Sequence, residues 1–311
     1  MNNKKISVVM ASYNGIKYIC EQLDSIRTQT LAPDEVIICD DCSTDGTFEF
    51  CRDYITKYNL TGWKVFRNET NLNAAKNFRL ALSKCTGDYI FTCDQDDIWM
   101  NDKIQVMAQA MQANNNIKLL ISNYIAIDSN RQQIKFNLKN VNRDDGEIIQ
   151  LPLKNCWLEN IRPGCVMGFT REILEKFKIF DMSNDLHDSM LWNYAAVTDS
   201  LYLINRQLIY FRRHENNATA AIHPPLTIER KIMFLRNDLE TYKNFAAHYK
   251  ELGINETNRA LLARKAIFIE QRINMLTRKN LFAIIYFVIK NIKFYPTFRN
   301  AVSDIYAVIF K

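Results

Sequence analysis

What this chain lacks narrows its reading before any motif is weighed. Its first residues, Met1-Asn2-Asn3-Lys4-Lys5, are polar and basic, so a signal peptide is not expected. The apolar run Leu281 to Ile289 holds nine positions, well short of the about 20 that span a bilayer. Cys39 and Cys42 form a C-x-x-C, but no second one accompanies it and two acids lie between the thiols. The eight cysteines therefore read as reduced thiols of a cytosolic protein rather than a zinc or redox site. Tyr13-Asn14-Gly15-Ile16-Lys17, the turn after the first strand, is not a Gly-rich, basic phosphate loop. The net charge is +6, and much of it lies from Arg278 onward, where six basic residues meet one acid, Asp304. That weakens any case for a basic groove across the body, and nucleic acid is not an expected partner.

What is present is organised around Tyr89-Ile90-Phe91-Thr92-Cys93-Asp94-Gln95-Asp96-Asp97-Ile98-Trp99. A β-prone apolar run ends in three carboxylates within four positions. Like charges that close raise each other's pKa. A hard divalent cation, Mg²⁺ or Mn²⁺, is the usual counter-charge and is often shared with a phosphate-bearing substrate. The bland alternative is a solvated acidic turn that caps the next helix.

The flanking pattern favours the first reading. Apolar runs at 6–11, 35–39, 63–66, 89–93 and 119–127 read as strands. Helical spacing separates them at Ile19 to Ile26, Phe50 to Ile55, Asn73 to Ser83 and Ile104 to Met111. Such alternation predicts an α/β fold with a parallel sheet, whose ligands bind at the carboxyl ends of the strands. Tyr13, Asp41 and the acids at 94–97 all fall there. Beyond Ser129 the pattern loosens into loops and short strands. Arg162-Pro163-Gly164-Cys165 is a turn, and Asn184-Asp185-Leu186-His187-Asp188 leads into a helix. Strands are expected at Leu201 to Ile204 and at Leu208 to Phe211, followed by the cationic loop Arg212-Arg213-His214-Glu215-Asn216-Asn217. Pro224-Pro225 marks a boundary between a domain at 1–223, with halves at 1–128 and 129–223, and a helical extension at 224–311. Two readings of that extension stay open. Its apolar helix packs on protein, either its own domain or a second copy in a homodimer, or it rests peripherally on an anionic membrane.

Over about residues 4–217 the chain resembles a family 2 glycosyltransferase of the rhamnosyltransferase-like branch. The carriers are Ser7 to Gly15, Asp40-Asp41-Cys42-Ser43-Thr44-Asp45-Gly46-Thr47, Asp94 to Trp99, His187-Asp188 and Arg212 to Asn217. The resemblance implies a GT-A fold, that is, a Rossmann-like, mostly parallel central sheet flanked by helices, here with a C-terminal helical extension. It implies that Ala11 and Tyr13 line a base pocket and that Asp41 accepts from a pyrimidine N–H. Asp94 would lie near the ribose. Asp96 would hold a divalent metal on the diphosphate, with His214 as a further ligand or phosphate donor. Asp188 would be the catalytic base of inverting transfer. Arg212 and Arg213 would neutralise the diphosphate, and Gly164 and His187 would line the diphosphate or acceptor region. Two departures stand out: Asn73 occupies a position where relatives often carry Gly, and Ala11 makes the pocket less polar than Thr would.

The expected protein is a metal-dependent, inverting glycosyltransferase. It would use a nucleoside-diphosphate sugar, dTDP-rhamnose or a UDP-hexose, and a saccharide or lipid-linked acceptor at the cytoplasmic face of the cell membrane. Its rivals are a sugar nucleotidyltransferase, disfavoured by the missing phosphate loop, and a non-catalytic nucleotide-sugar-binding scaffold, disfavoured by the presence of Asp96, Asp188 and His214.

Overall fold

Ile6-Ser7-Val8-Val9-Met10 offers little polarity to either face, and a run of that kind is stable inside a sheet covered on both sides. In the computed structural model, which describes residues 4–135, 142–153, 162–179, 187–215 and 227–310, it forms β1 (Ile6–Ser12), buried except at half-buried Ala11. Three strands join it in parallel: β2 (Glu35–Asp40), β3 (Trp63–Arg67) and β4 (Tyr89–Cys93), in the order β3-β2-β1-β4. The crossovers are α1 (Ile19–Arg27), α2 (Thr47–Lys57) and α3 (Ala74–Lys84). This brings the carboxyl ends of β1, β2 and β4 together along one edge.

The second half extends the same sheet. After β5 (Ile98–Trp99) and α4 (Lys103–Ala113) comes β6 (Leu119–Ile127), and after β7 (Ile148–Gln150) comes β8 (Met167–Thr170). β8 enters antiparallel between β4 and β6, which keeps β6 in the direction of β1 to β4. Helices α5 (Arg171–Ile179) and α6 (His187–Val197) lead to β9 (Leu201–Arg212), which is parallel to β6 and carries β5 and β7 antiparallel. The mostly parallel α/β sheet agrees with expectation, while the inserted β8 was not legible.

One strand assignment changes. The segments at 201–204 and 208–211 are a single strand, because the polar residues between them find partners without leaving the ladder. Asn205 N–H donates to Glu147 O (2.9 Å), Gln207 N–H donates to Asp144 Oδ1 (2.9 Å), and Arg206 pairs with Asp102 at 3.1 Å. The strain appears instead as a register slip against β6 beside Asn123.

The chain divides into two compact units, Met1–Pro152 with Leu158–Ala220, and Leu153–Trp157 with Ala221–Lys311. From Ile228 the second is helical: α7 (Ile228–Ala247), α8 (Tyr249–Leu252), α9 (Glu256–Arg278), α10 (Leu281–Asn291) and α11 (Phe298–Phe310). Side chains of Thr227, Asn255 and Asn280 cap α7, α9 and α10 by accepting backbone N–H groups at 3.2, 2.8 and 3.0 Å. Its interior holds Phe268 stacked on Phe287 (5.7 Å) and a buried ion cluster. There Asp304 accepts from Arg272 (2.6 and 2.9 Å) and from Tyr295 OH (2.7 Å), and pairs with Lys231 (2.5 Å). Although burial opposes it, these partners hold the Asp304 carboxyl below its ordinary range.

Candidate active site

The loops after β1 and β2 are stitched together before any ligand is considered. Asn14 N–H donates to Ser43 Oγ (2.9 Å), Gly15 N–H to Thr47 Oγ1 (2.8 Å), and Thr44 N–H to Asn14 Oδ1 (2.9 Å). Asp40, fully buried, accepts from Ser43 N–H at 2.9 Å and from Ser12 Oγ at 3.2 Å. A third loop, after β4, locks onto the first through Gln95. Its amide accepts from Tyr13 N–H and donates to Tyr13 O, both at 2.9 Å. Gly15 is required for this, since a Cβ there would sit 2.2 Å from Gln95 Oε1.

Asp41 is buried and held by the loop that precedes α3. Its Oδ1 accepts from Asn68 Nδ2 (2.8 Å) and Leu72 N–H (2.7 Å). Asn68 in turn leans on Asn77, which donates to Cys39 O (2.8 Å). The loop closes at Asn73 with φ 71° and ψ 156°, a conformation in which almost only glycine is at ease. The Asn for Gly departure in the sequence is therefore a strained residue at the rim of the site.

At the end of β4, Asp94 and Asp96 are half-buried and Asp97 is fully buried. Burial, then the charges of Asp96 and Asp188, push the Asp94 carboxyl up to about 7. Burial, then the charges of Asp96 and Asp94, push Asp97 well up too. Asp94, Asp97 and the buried Cys165 thiol bring polar atoms within 4.8 Å of one another. Beneath them lies Lys103, fully buried, its ammonium 4.1 Å from the Trp99 ring and 5.2 Å from that of Phe91. Desolvation pulls it down to about 8, against the pull of nearby Cys165, Cys93 and Asp97.

Arg212 is placed otherwise than the sequence reading had it. It is 1% exposed, with its backbone N–H on Asp97 Oδ1 (2.9 Å), Nε on Asp96 O (2.7 Å) and a terminal nitrogen on Glu21 Oε2 (2.6 Å). A guanidinium turned inward on those acceptors clamps the acidic loop to α1 and does not line the cleft described below. Two residues on, His214 Nε2 lies 2.8 Å from Asp96 Oδ2, and its ring stacks on Tyr18 at 4.8 Å. Arg213 lies over the Phe211 ring at 5.7 Å.

Asp188 stands in the first turn of α6, where a carboxylate is favoured by the helix dipole, and its Oδ1 accepts from Ser189 N–H at 2.8 Å. Gly164 lies against it. A Cβ at 164 would come 3.0 Å from Asp188 Cβ, and Thr92 Oγ1 fixes the Gly164 carbonyl at 2.6 Å.

A single cleft of about 450 Å³ joins these pieces. Ala11, Tyr13, Asp41, Asp94, Asp96, Gly164 and Asp188 all line it, whereas Arg212, Arg213 and His214 do not. The side chain of His187, with Asn216 and Asn217, lies outside the described residues. Sequence reasoning passed over Gln95, Asn77, Phe78 and Phe211, which also line the cleft. Gln95 carried a signal in its place between two acids, but Asn77 and Phe211 had none, being ordinary helix and strand residues. Among the described residues lining the cleft there are four carboxylates and no Lys, Arg or His.

Known proteins resemble this chain in sequence and in fold. The family model "Glycosyl transferase family 2" matches residues 7–178. The chain is 31% identical to dTDP-rhamnosyl transferase RfbG of Shigella flexneri over 228 residues, 68% of this chain and 74% of that protein. Among solved structures, S. aureus TarS in complex with UDP-GlcNAc aligns with a TM-score of 0.62 at 17% identity, covering 98% of this chain and 81% of that one. The mannosyltransferase PcManGT from Pyrobaculum calidifontis, in complex with GDP-Man and Mn²⁺, aligns at 0.58 and 16%, covering 99% and 86%. These last two likenesses are of fold, and the fold is GT-A.

Proposed function

The chain belongs to glycosyl transferase family 2 and is a glycosyltransferase, and from that premise we propose that it moves a sugar, with inversion, from a pyrimidine nucleoside diphosphate to a saccharide or lipid-linked acceptor. The donor would be dTDP-rhamnose or a UDP-hexose. One observation carries the reading: Asp41, Asp94, Asp96 and Asp188 share one cleft that holds no cation of its own among the described residues.

Each residue then has a task. Asp41 Oδ1 is already taken by two donors, so Oδ2 accepts the N–H of the base, beside Ala11 and Tyr13. A base without that N–H would leave Oδ2 of this buried carboxylate without a donor and is rejected. Asp94 lies toward the ribose. Asp188 receives the proton of the acceptor hydroxyl as its oxygen bonds to the anomeric carbon, while the diphosphate leaves from the opposite face with the bonding electrons. A carboxylate suffices as base because the hydroxyl becomes acidic as the C–O bond forms.

The donor set fits Mn²⁺ or Mg²⁺. Asp96 Oδ2 and His214 Nε2 are 2.8 Å apart, carboxylate oxygen suits both ions while the softer imidazole favours Mn²⁺ over Mg²⁺, and among the described residues no cation offsets the charges that crowd Asp94. Asp96 and His214 would hold the ion, which when bound offsets charge on the departing diphosphate. Arg212 keeps Asp96 in place from behind, and Arg213 would neutralise the diphosphate. A lipid-linked acceptor would be met at the inner face of the cell membrane.

A donor panel with product mass measured tests substrate and reaction together, and a pyrimidine-linked sugar should be consumed with Mn²⁺ present. Thermal shift with UDP, dTDP and GDP adds the binding side, where no stabilisation by any of them would sink the proposal. The same instrument checks the metal through pH. Asp94 is raised, so the folded state holds its proton to higher pH than the unfolded chain does, and stability falls as pH rises through about 7. Mn²⁺ should therefore stabilise the protein more at about pH 8 than at about pH 6; an equal effect at both would remove the metal from this cleft.

A further inference from the structure

Leu281 to Ile289 is apolar at every position, yet only Ile284, Phe287 and Val288 of α10 are buried. The rest of the helix has a second apolar face. Phe282, Tyr286 and Ile289, spaced i, i+4 and i+7, are 85%, 66% and 71% exposed. The neighbouring α11 repeats the pattern. Ala301, Asp304 and Ala307 face inward, while Phe298, Val302 and Tyr306, at i, i+4 and i+8, stand outward, Phe298 at 75%. A helical face of that kind on a soluble surface marks a contact waiting to be made.

The charge around it names the contact. Arg278, Lys279, Lys290, Lys293 and Arg299 are all exposed. The one acid between 278 and 310, Asp304, is fully buried and neutralised by Arg272 and Lys231. Glu229 on α7 is itself paired with Lys279 at 3.3 Å. A second copy docking through the same face would set these cations against each other, since a two-fold interface brings a patch onto itself. A partner must therefore be apolar in its interior and negative at its surface.

We propose that α10 and α11 are a docking surface for an anionic phospholipid bilayer. The aromatic and aliphatic side chains enter the headgroup boundary, and the lysines reach the phosphates with their stems along the apolar zone. The contact lies in the plane of the membrane: at 1.5 Å per residue the two helices are about 16 and 20 Å long, short of the roughly 30 Å hydrocarbon layer. No described helix is long and apolar enough to cross a membrane. The proposal deepens the reading of a lipid-linked acceptor, but its observation and its test are independent of donor and metal.

The test is flotation of the full chain with vesicles of phosphatidylcholine alone, or mixed with phosphatidylglycerol, at low and high salt. Binding should need the anionic lipid and weaken with salt. Phe282→Ser with Tyr286→Ser and Phe298→Ser should abolish it, and Lys290→Glu with Lys293→Glu should weaken it on the order of a hundredfold. Both variants should keep nucleotide-dependent thermal stabilisation, which separates failure here from failure of the donor site. Equal binding to neutral vesicles, or binding unchanged in either variant, would overturn the proposal. So would a wild-type dimer that the serine variant converts to monomer while wild type leaves vesicles untouched.

Discussion

Asp94 and Asp304 are carboxylates taken out of bulk water in different units, and their surroundings push them in opposite directions. Asp304 meets Arg272, Lys231 and Tyr295 and is held below its ordinary range. Asp94 meets two more acids and is raised to about 7. The helical unit brings its own counter-charge and uses the cluster to fix its packing. The described residues that line the cleft bring four carboxylates and no Lys, Arg or His. A strained Asn73 at the rim fits the same contrast, because a site built to bind keeps features that a purely structural region would have relaxed.

The contrast can be broken from either side. Asp188→Asn should lower transfer by about 10³-fold, the range a positioned proton acceptor supplies. Stability should hold or rise slightly, since one of the charges that crowd Asp94 is removed, and nucleotide binding should survive. A parallel loss of binding and turnover would make Asp188 a structural residue. Asp304→Asn is the mirror experiment. It strands two buried cations and should cost about 3 kcal/mol in urea unfolding, with turnover per folded molecule unchanged. Should turnover per folded molecule fall with it, the cluster would not be merely structural. The smallest effect is at the rim. Asn73→Gly relieves a positive-φ backbone and should raise stability by about 1 kcal/mol, whereas a loss would mean that the Asn73 side chain itself holds the loop.

Much of the site was legible because its pieces end strands. Asp41 follows β2, Asp94 and Asp96 follow β4, and an apolar run that stops at an acid gives both the strand and its carboxyl end. Arg212 shows where that reasoning fails. A basic residue after a strand looks like a phosphate ligand, but its Nε is bonded to Asp96 O, 116 residues away in the chain. Nothing local to Arg212 says whether it turns outward or in. The helix at 281–289 shows the reverse case, in which nine apolar residues gave the element but not which of its two faces is covered.

By itself the sequence determined the alternation of strand and helix, the acids at the strand ends and the amphipathic helices of the second unit, since these follow from side-chain periodicity and backbone preference over a few residues. Only the tertiary structure decided that β8 runs antiparallel between β4 and β6, that Asn68 and Asn77 steady Asp41, and that Asp188 opens onto the same cleft as Asp96. Those outcomes depend on which surfaces pack across long stretches of chain, and a local pattern carries no information about the partner it will meet.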